Sequence, residues 1–271
     1  MAGLGPVAAV LHDRGQRGAS GMMRSLGRAG LLVLLLEGGQ GGGQGAWAEA
    51  IPAAVGRISY GDTPAPGAAI CSGTLVAPDL VLTAAHCVRG AAADPGSIRF
   101  DAGWAAGRPA AQRRGAAVIL PEGTPVAGMA GLAGDVALVV LAAPFPPEAV
   151  APLPLMDPAG RSFTLIAFRR DAPDQPPRRD LCATLATAPG LLGFGCAVVS
   201  GNSGAPLLAR DGTGWRIVAV MVAASQGGPV RSWAALPPAA LRLRIAAGGK
   251  GSGVGAVIPP GRAAPPRVPS R

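Results

Sequence analysis

Apolar residues recur along this chain in short runs rather than at helical spacing. From residue 54 onward such runs occupy 55–59, 70–76, 80–83, 97–100, 116–120, 136–141, 163–168, 181–187, 191–194, 206–209, 215–224 and 230–235, with Gly, Pro and Asp punctuating the intervals. Runs of this length separated by turn residues predict strands, and so many in succession without intervening helical patterns predict an all-β barrel or sandwich. The proline-rich stretch 143–155 (APFPPEAVAPLPL) divides the series and predicts a linker between two β domains, 49–147 and 148–247. Segment 237–246 predicts a short closing helix, its Arg242 and Arg244 suiting the negative carboxyl end of a helix dipole. No internal repeat is present.

The two ends of the chain differ from this middle. Arg24 and Arg28 precede the apolar run 29–36 (AGLLVLLL), and Ala46-Trp47-Ala48 places small residues where a signal peptidase reads them. Residues 1–48 are therefore expected to be a secretory presequence, with translation starting at Met22 or Met23. The run is far short of the ~20 residues a membrane-spanning helix needs, so no stable span is expected. Residues 248–271 are basic and rich in Gly and Pro, which predicts a disordered tail.

Composition narrows the function classes. Of the 42 glycines and 28 prolines, much of the excess lies in the glycine-rich run 38–45 and in the tail from 248, and a hydrophobic content of 49% excludes disorder throughout. A formal charge of +9 raises nucleic acid or an anionic membrane as partner. The arginines, however, stand singly or in pairs such as Arg113-Arg114 and Arg169-Arg170, and aromatics make up only 4%, so no basic stripe interleaved with stacking rings exists. No nucleic-acid partner is expected. Four cysteines, Cys71, Cys87, Cys182 and Cys196, all follow the expected cleavage site, an even number in a chain bound for an oxidising space. Of three possible connectivities, the local pairing Cys71–Cys87 with Cys182–Cys196 is favoured because each pair brackets a hairpin-sized stretch. No C-x-x-C occurs and His86 is the only histidine after the cut, so a tetrahedral metal site is hard to assemble and none is expected.

Three segments carry candidate chemistry. Thr83-Ala84-Ala85-His86-Cys87 places a histidine, whose ordinary proton affinity lies near neutrality, beside a cysteine able to crosslink back. Gly134-Asp135 puts one carboxylate at the mouth of the apolar run 136–141, where it needs a partner or solvent. Gly201-Asn202-Ser203-Gly204-Ala205-Pro206 sets a serine between glycines, where the backbone can turn sharply and aim its own N–H groups at one point, as an oxyanion requires.

With these motifs in the order histidine, aspartate, serine, the chain resembles the trypsin and chymotrypsin-like serine peptidases, in the small secreted bacterial version, over about residues 54–246. The resemblance implies two antiparallel six-stranded Greek-key barrels, a short C-terminal helix, no cofactor, a protein or peptide substrate, a monomer, and a secreted or periplasmic location. It also implies roles. Ser203 would attack the scissile carbonyl, His86 would take and return the proton, Asp135 would orient the imidazole, and the N–H groups of Gly201 and Ser203 would form the oxyanion hole.

Two departures from the family pattern matter. The trypsin branch carries an aspartate before the nucleophile that pairs with a newly cut amino terminus, whereas Asn202 is neutral, so activation by an inserted terminus is not expected. The position six residues before the nucleophile, acidic in trypsin relatives, is Ala197; with Val220, Met221 and Val222 as the expected pocket wall, small or apolar side chains are the expected preference. The rival reading is a catalytically silent protease-like module that binds peptides or proteins. A protease-chaperone would need an appended peptide-binding domain, for which the residues after 246 are too few.

Overall fold

In the computed structural model, residues 50–61, 70–104, 107–122 and 127–248 are described. Twelve strands form two closed antiparallel barrels among them. The first comprises β1 (Val55–Tyr60), β2 (Cys71–Ala77), β3 (Leu80–Ala84), β4 (Ile98–Ala102), β5 (Ala111–Ile119) and β6 (Val136–Leu141), closed in the order β1-β2-β3-β6-β5-β4. The second comprises β7 (Ser162–Ala167), β8 (Arg178–Ala188), β9 (Leu191–Phe194), β10 (Pro206–Arg210), β11 (Trp215–Ala224) and β12 (Ser232–Ala235), closed as β10-β11-β12-β9-β8-β7. Closure leaves no sheet edge unpaired. Helix α1 (Ala85–Val88) follows β3, α2 (Gly128–Ala133) precedes β6, and α3 (Ala239–Ala246) follows the last strand.

Each expected strand has a counterpart, and the two that differ most in length, β5 and β8, differ for one reason. Both begin in charged sequence, Gln112-Arg113-Arg114 and Arg178-Arg179-Asp180, which carries no apolar signal. Their pairing comes from neighbours instead: Arg99 faces Arg114 across β4 and β5, and Ala167 faces Arg178 across β7 and β8. Arg113 also lays its guanidinium over the Phe145 ring, 4.8 Å from the centroid, so its aliphatic stem and charge both find partners.

Strand β11 shows why periodicity could not assign faces. Ile217, Val220 and Val222 join the apolar cluster that holds Leu82, Phe100 and Leu138 of the first barrel, whereas Val218, Ala219 and Met221 join Phe163, Leu165, Phe194 and Leu207 in the second. A register shift between Leu207 and Leu208 lets one more residue into β11 than its partner supplies. Both faces of this strand are buried from Ile217 to Val222, and that stretch is continuously apolar.

A buried ion pair joins the first barrel to the β7–β8 loop. Arg57 and Asp101, with side chains 3% and 1% exposed, meet at 2.9 Å, and Arg99 approaches the same Asp101 oxygen at 3.2 Å. Arg57 also donates to the Pro173 carbonyl at 2.6 Å and lies 4.2 Å from the centroid of the Trp104 ring, which itself meets Phe168 edge-on at 6.1 Å. Asp101→Ala should therefore destabilise the fold by about 3–5 kcal/mol, since it strands a desolvated guanidinium. Denaturant unfolding with the disulfides intact checks this, and exchanging both members of the pair for apolar residues should cost much less.

Candidate active site

His86 stands on the single turn of α1, held from several sides. Ala85 N–H donates to the Asp135 carbonyl at 3.1 Å, the Tyr60 hydroxyl donates to the Cys87 carbonyl, and Cys87 is disulfide-bonded to Cys71 on β2. Burial raises the Tyr60 phenol above its ordinary pKa, which keeps it a donor. Asp135 lies between the end of α2 and the first residue of β6. One of its oxygens accepts the His86 backbone N–H at 2.8 Å and the other lies 2.5 Å from His86 Nδ1. A carboxylate can only accept, so in the neutral ring this contact favours the Nδ1–H tautomer, with Nε2 as the basic nitrogen. The carboxylate is 15% exposed and the imidazole 47%.

The turn carrying Ser203 is built from two glycines in left-handed backbone, Gly201 at φ +100° and Gly204 at φ +80°. Its carbonyls are all occupied. Arg170 N–H donates to Ser200 O at 2.9 Å, the Ser72 hydroxyl to Gly201 O at 2.8 Å, Ala205 N–H to Asn202 O at 3.0 Å, and Ser72 N–H to Ser203 O at 2.8 Å. Because C=O and N–H of a trans peptide point opposite ways, anchoring the Ser200 and Asn202 carbonyls aims the N–H groups of Gly201 and Ser203 the other way. Among the described residues neither of these two N–H groups has an acceptor in the protein. Two unspent donors on a buried turn are what a developing oxyanion needs.

Asn202 is nearly buried and its amide is used at both ends: Oδ1 accepts Val199 N–H at 2.9 Å and Nδ2 donates to Phe168 O at 2.8 Å. Cys182–Cys196 closes across β8 and the segment leading toward this turn. The serine turn rests directly on the histidine's strand, since a Cβ on Gly204 would stand 2.2 Å from Thr83 Oγ1 and 3.1 Å from Ala84 N. Ser203 is thus joined to the histidine's turn by a chain of hydrogen and covalent bonds through Ser72, Cys71 and Cys87.

The remaining expected site residues are placed differently. Ala197 is exposed on the segment before the turn. Val220, Met221 and Val222 are 1%, 1% and 4% exposed and split between two apolar clusters, so their side chains serve the core and only their backbone is available to a neighbour. Beyond β11's buried part, Ala223 and Ala224 emerge toward solvent. A cavity of about 330 Å³ lined by Arg170, Asp171, Val199 and Ser200 opens beside the serine turn. Cys71, His86 and Cys87 bring three donor atoms within 4.8 Å of one another, but both sulfurs are spent in the disulfide and cannot ligate a metal.

A family model described as trypsin matches residues 42–231, most of the chain. The chain belongs to the trypsin family. It is accordingly a serine endopeptidase of trypsin fold, a hydrolase. Among solved structures, a Glu endopeptidase in complex with MPD is similar at 17% identity and a TM-score of 0.56, covering 72% of this chain and 89% of that one. A thermostable serine protease, AL20, from an extremophilic microorganism is similar at 18% identity and a TM-score of 0.51, covering 68% and 91%. The protease Anisep from Arthrobacter nicotinovorans matches at 17% identity and a TM-score of 0.51, covering 69% and 91%. At such identities these structures speak for the trypsin-family fold. Among curated proteins, none matches the chain.

Sequence reasoning did not single out Ser72, Phe168 and Arg170, which brace the serine turn. The one available signal was a polar side chain in β2, a strand whose residues are all buried.

Proposed function

We propose that this trypsin-family chain is an exported endopeptidase that cuts peptide bonds through Ser203, His86 and Asp135, with an acyl-enzyme intermediate. The observation that carries the reading is the contact of His86 Nδ1 with the Asp135 carboxylate at 2.5 Å, which favours the tautomer with Nε2 as base. In the first step His86 Nε2 takes the Ser203 hydroxyl proton as the oxygen attacks the carbonyl carbon. The negative charge moves to the carbonyl oxygen, which the N–H groups of Gly201 and Ser203 receive, each worth on the order of 3 kcal/mol. Collapse breaks the C–N bond as His86 returns the proton to the leaving amine, and water then repeats the sequence on the ester. Asp135 stabilises the imidazolium at each stage.

The residue on the acyl side of the cut bond is proposed to lie between Ala197 and the end of β11, where the small residues Ala223, half-buried, and Ala224, exposed, favour small or apolar side chains. The two disulfides support export to an oxidising compartment. The expected presequence and the greater part of the expected tail lie outside the described residues, and no described helix is long and apolar enough to cross a membrane.

Labelling of the oxidised protein with a fluorophosphonate, followed by peptide mapping, tests the reading. A single adduct on Ser203 is expected. A folded, disulfide-bonded chain that takes no label, or takes it elsewhere, would overturn it.

A further inference from the structure

Ser72 is fully buried near the start of β2, and its hydroxyl both donates to and accepts from the second barrel. It donates to Gly201 O at 2.8 Å and accepts from Phe168 N–H at 2.9 Å. Those bonds lie at the two ends of one bracket. Phe168 leads into Arg170, whose N–H holds the Ser200 carbonyl at 2.9 Å, and that carbonyl sets the direction of the Gly201 N–H. Gly201 is the next residue, and Ser72 holds its carbonyl directly. The same serine's backbone N–H holds Ser203 O at 2.8 Å, while its carbonyl accepts the Thr83 hydroxyl at 2.8 Å, so Ser72 is itself pinned on the histidine's side.

The two side chains that make this bracket are uncharged. Ser72 and Asn202 between them engage the backbone of Phe168, Val199 and Gly201 with a hydroxyl and an amide. The close fit leaves little room for a second arrangement, since a Cβ on Gly201 would stand 2.6 Å from Arg170 N and 2.9 Å from the Arg169 backbone. A flip of the Ser200–Gly201 peptide would withdraw the Gly201 N–H from the hole and break the Arg170 bond.

From this geometry we propose that Ser72 is a positioning residue for the oxyanion hole, its hydroxyl fixing the adjoining Gly201–Asn202 peptide and the Phe168 N–H of the segment whose Arg170 holds the Ser200 carbonyl, so that the Gly201 N–H keeps its working direction. The proposal rests on the catalytic reading of Ser203 given above. Ser72 touches no substrate; it acts through the Gly201 peptide. Its contribution therefore belongs to the tetrahedral transition state and not to substrate binding, and its loss should appear in kcat while KM stays nearly constant.

The test compares wild type, Ser72→Ala, Ser72→Gly and Thr74→Val on a fluorogenic peptide with alanine at the cleaved position. Thr74 is the matched control, a buried hydroxyl two residues along the same strand whose oxygen has no partner. Ser72→Ala should lose roughly 10- to 100-fold in kcat, somewhat less than deletion of a whole oxyanion donor, with KM within about twofold. Fluorophosphonate labelling should slow by a similar factor, and Thr74→Val should keep the wild-type kcat. A folded Ser72→Ala protein whose kcat stays within about twofold of wild type, or whose loss lies in KM, overturns the proposal. Failure of both Ser72 variants to fold also overturns it, because the hydroxyl would then be a determinant of the fold. Wild type without turnover or label would sink the catalytic reading itself, and the positioning role with it; wild-type turnover with an unaffected Ser72→Ala sinks the positioning role alone.

Discussion

Ser203→Ala and His86→Ala should each lower kcat by about six orders of magnitude, and the double variant should be no slower than either. The reason is that the two side chains act as one unit. A serine hydroxyl is a weak nucleophile without a base, and the imidazole has no proton to take without the hydroxyl. Asp135→Asn should cost about four orders. The carboxylate holds the proton on Nδ1 at 2.5 Å. An amide can present N–H to Nδ1 and shift the proton to Nε2, which removes the base. Neither Ser203→Ala nor Asp135→Asn removes core packing, so thermal unfolding should change little. Steady-state rates on an activated ester, with melting curves alongside, make the check. Losses that multiply in the double variant would mean that the two residues act independently.

Gly204→Ala should be among the most damaging single substitutions for stability. The new Cβ would lie 2.1 Å from the Ser72 carbonyl oxygen and 2.2 Å from Thr83 Oγ1, at a backbone φ of +80°. Relief requires the serine turn to lift off the seam, breaking the Ser72 N–H to Ser203 O and Gly204 N–H to Met221 O bonds, both 2.8 Å. A loss of at least about 4 kcal/mol is expected, lowering Tm by roughly 10–15 °C, together with loss of fluorophosphonate labelling. Gly212→Ala separates strain from crowding. That glycine has φ +88° but nothing within 4 Å of its Cβ position, so it should cost only about 1–2 kcal/mol and leave activity intact. Equal losses in the two variants would mean that backbone strain, and not the close approach at the seam, governs the turn.

The strand inventory was legible because each apolar run is bounded by residues that break strands. Val136–Leu141, Leu191–Phe194 and Trp215–Ala224 have the bounds that their runs predict. The first residues of β5 and β8 were not legible, since Arg113 and Arg178 are held in strands by neighbours distant in sequence. The helices α1 and α2 were too short to impose a period. Of the candidate site, the residue types and their order could be read directly, because few other side chains in the chain can move a proton near neutrality. The expected pocket wall is the instructive case. Val220, Met221 and Val222 read as one apolar surface, yet consecutive strand residues face opposite ways, and here both sides are filled.

The sequence by itself determined that this protein is all-β and that it has twelve strands in two groups, and three of its motifs resemble those of the trypsin family. The strands follow from local information, run length and turn residues; the proposed catalytic residues follow from that resemblance. What only the tertiary structure decided is how the two barrels meet. The bracket of Ser72, Phe168, Arg170 and Asn202, the buried Arg57–Asp101 pair and the close seat of Gly204 all join residues far apart in the chain. Such contacts leave no periodic trace, because each is made once, between a single pair of positions brought together by the closure of separate sheets.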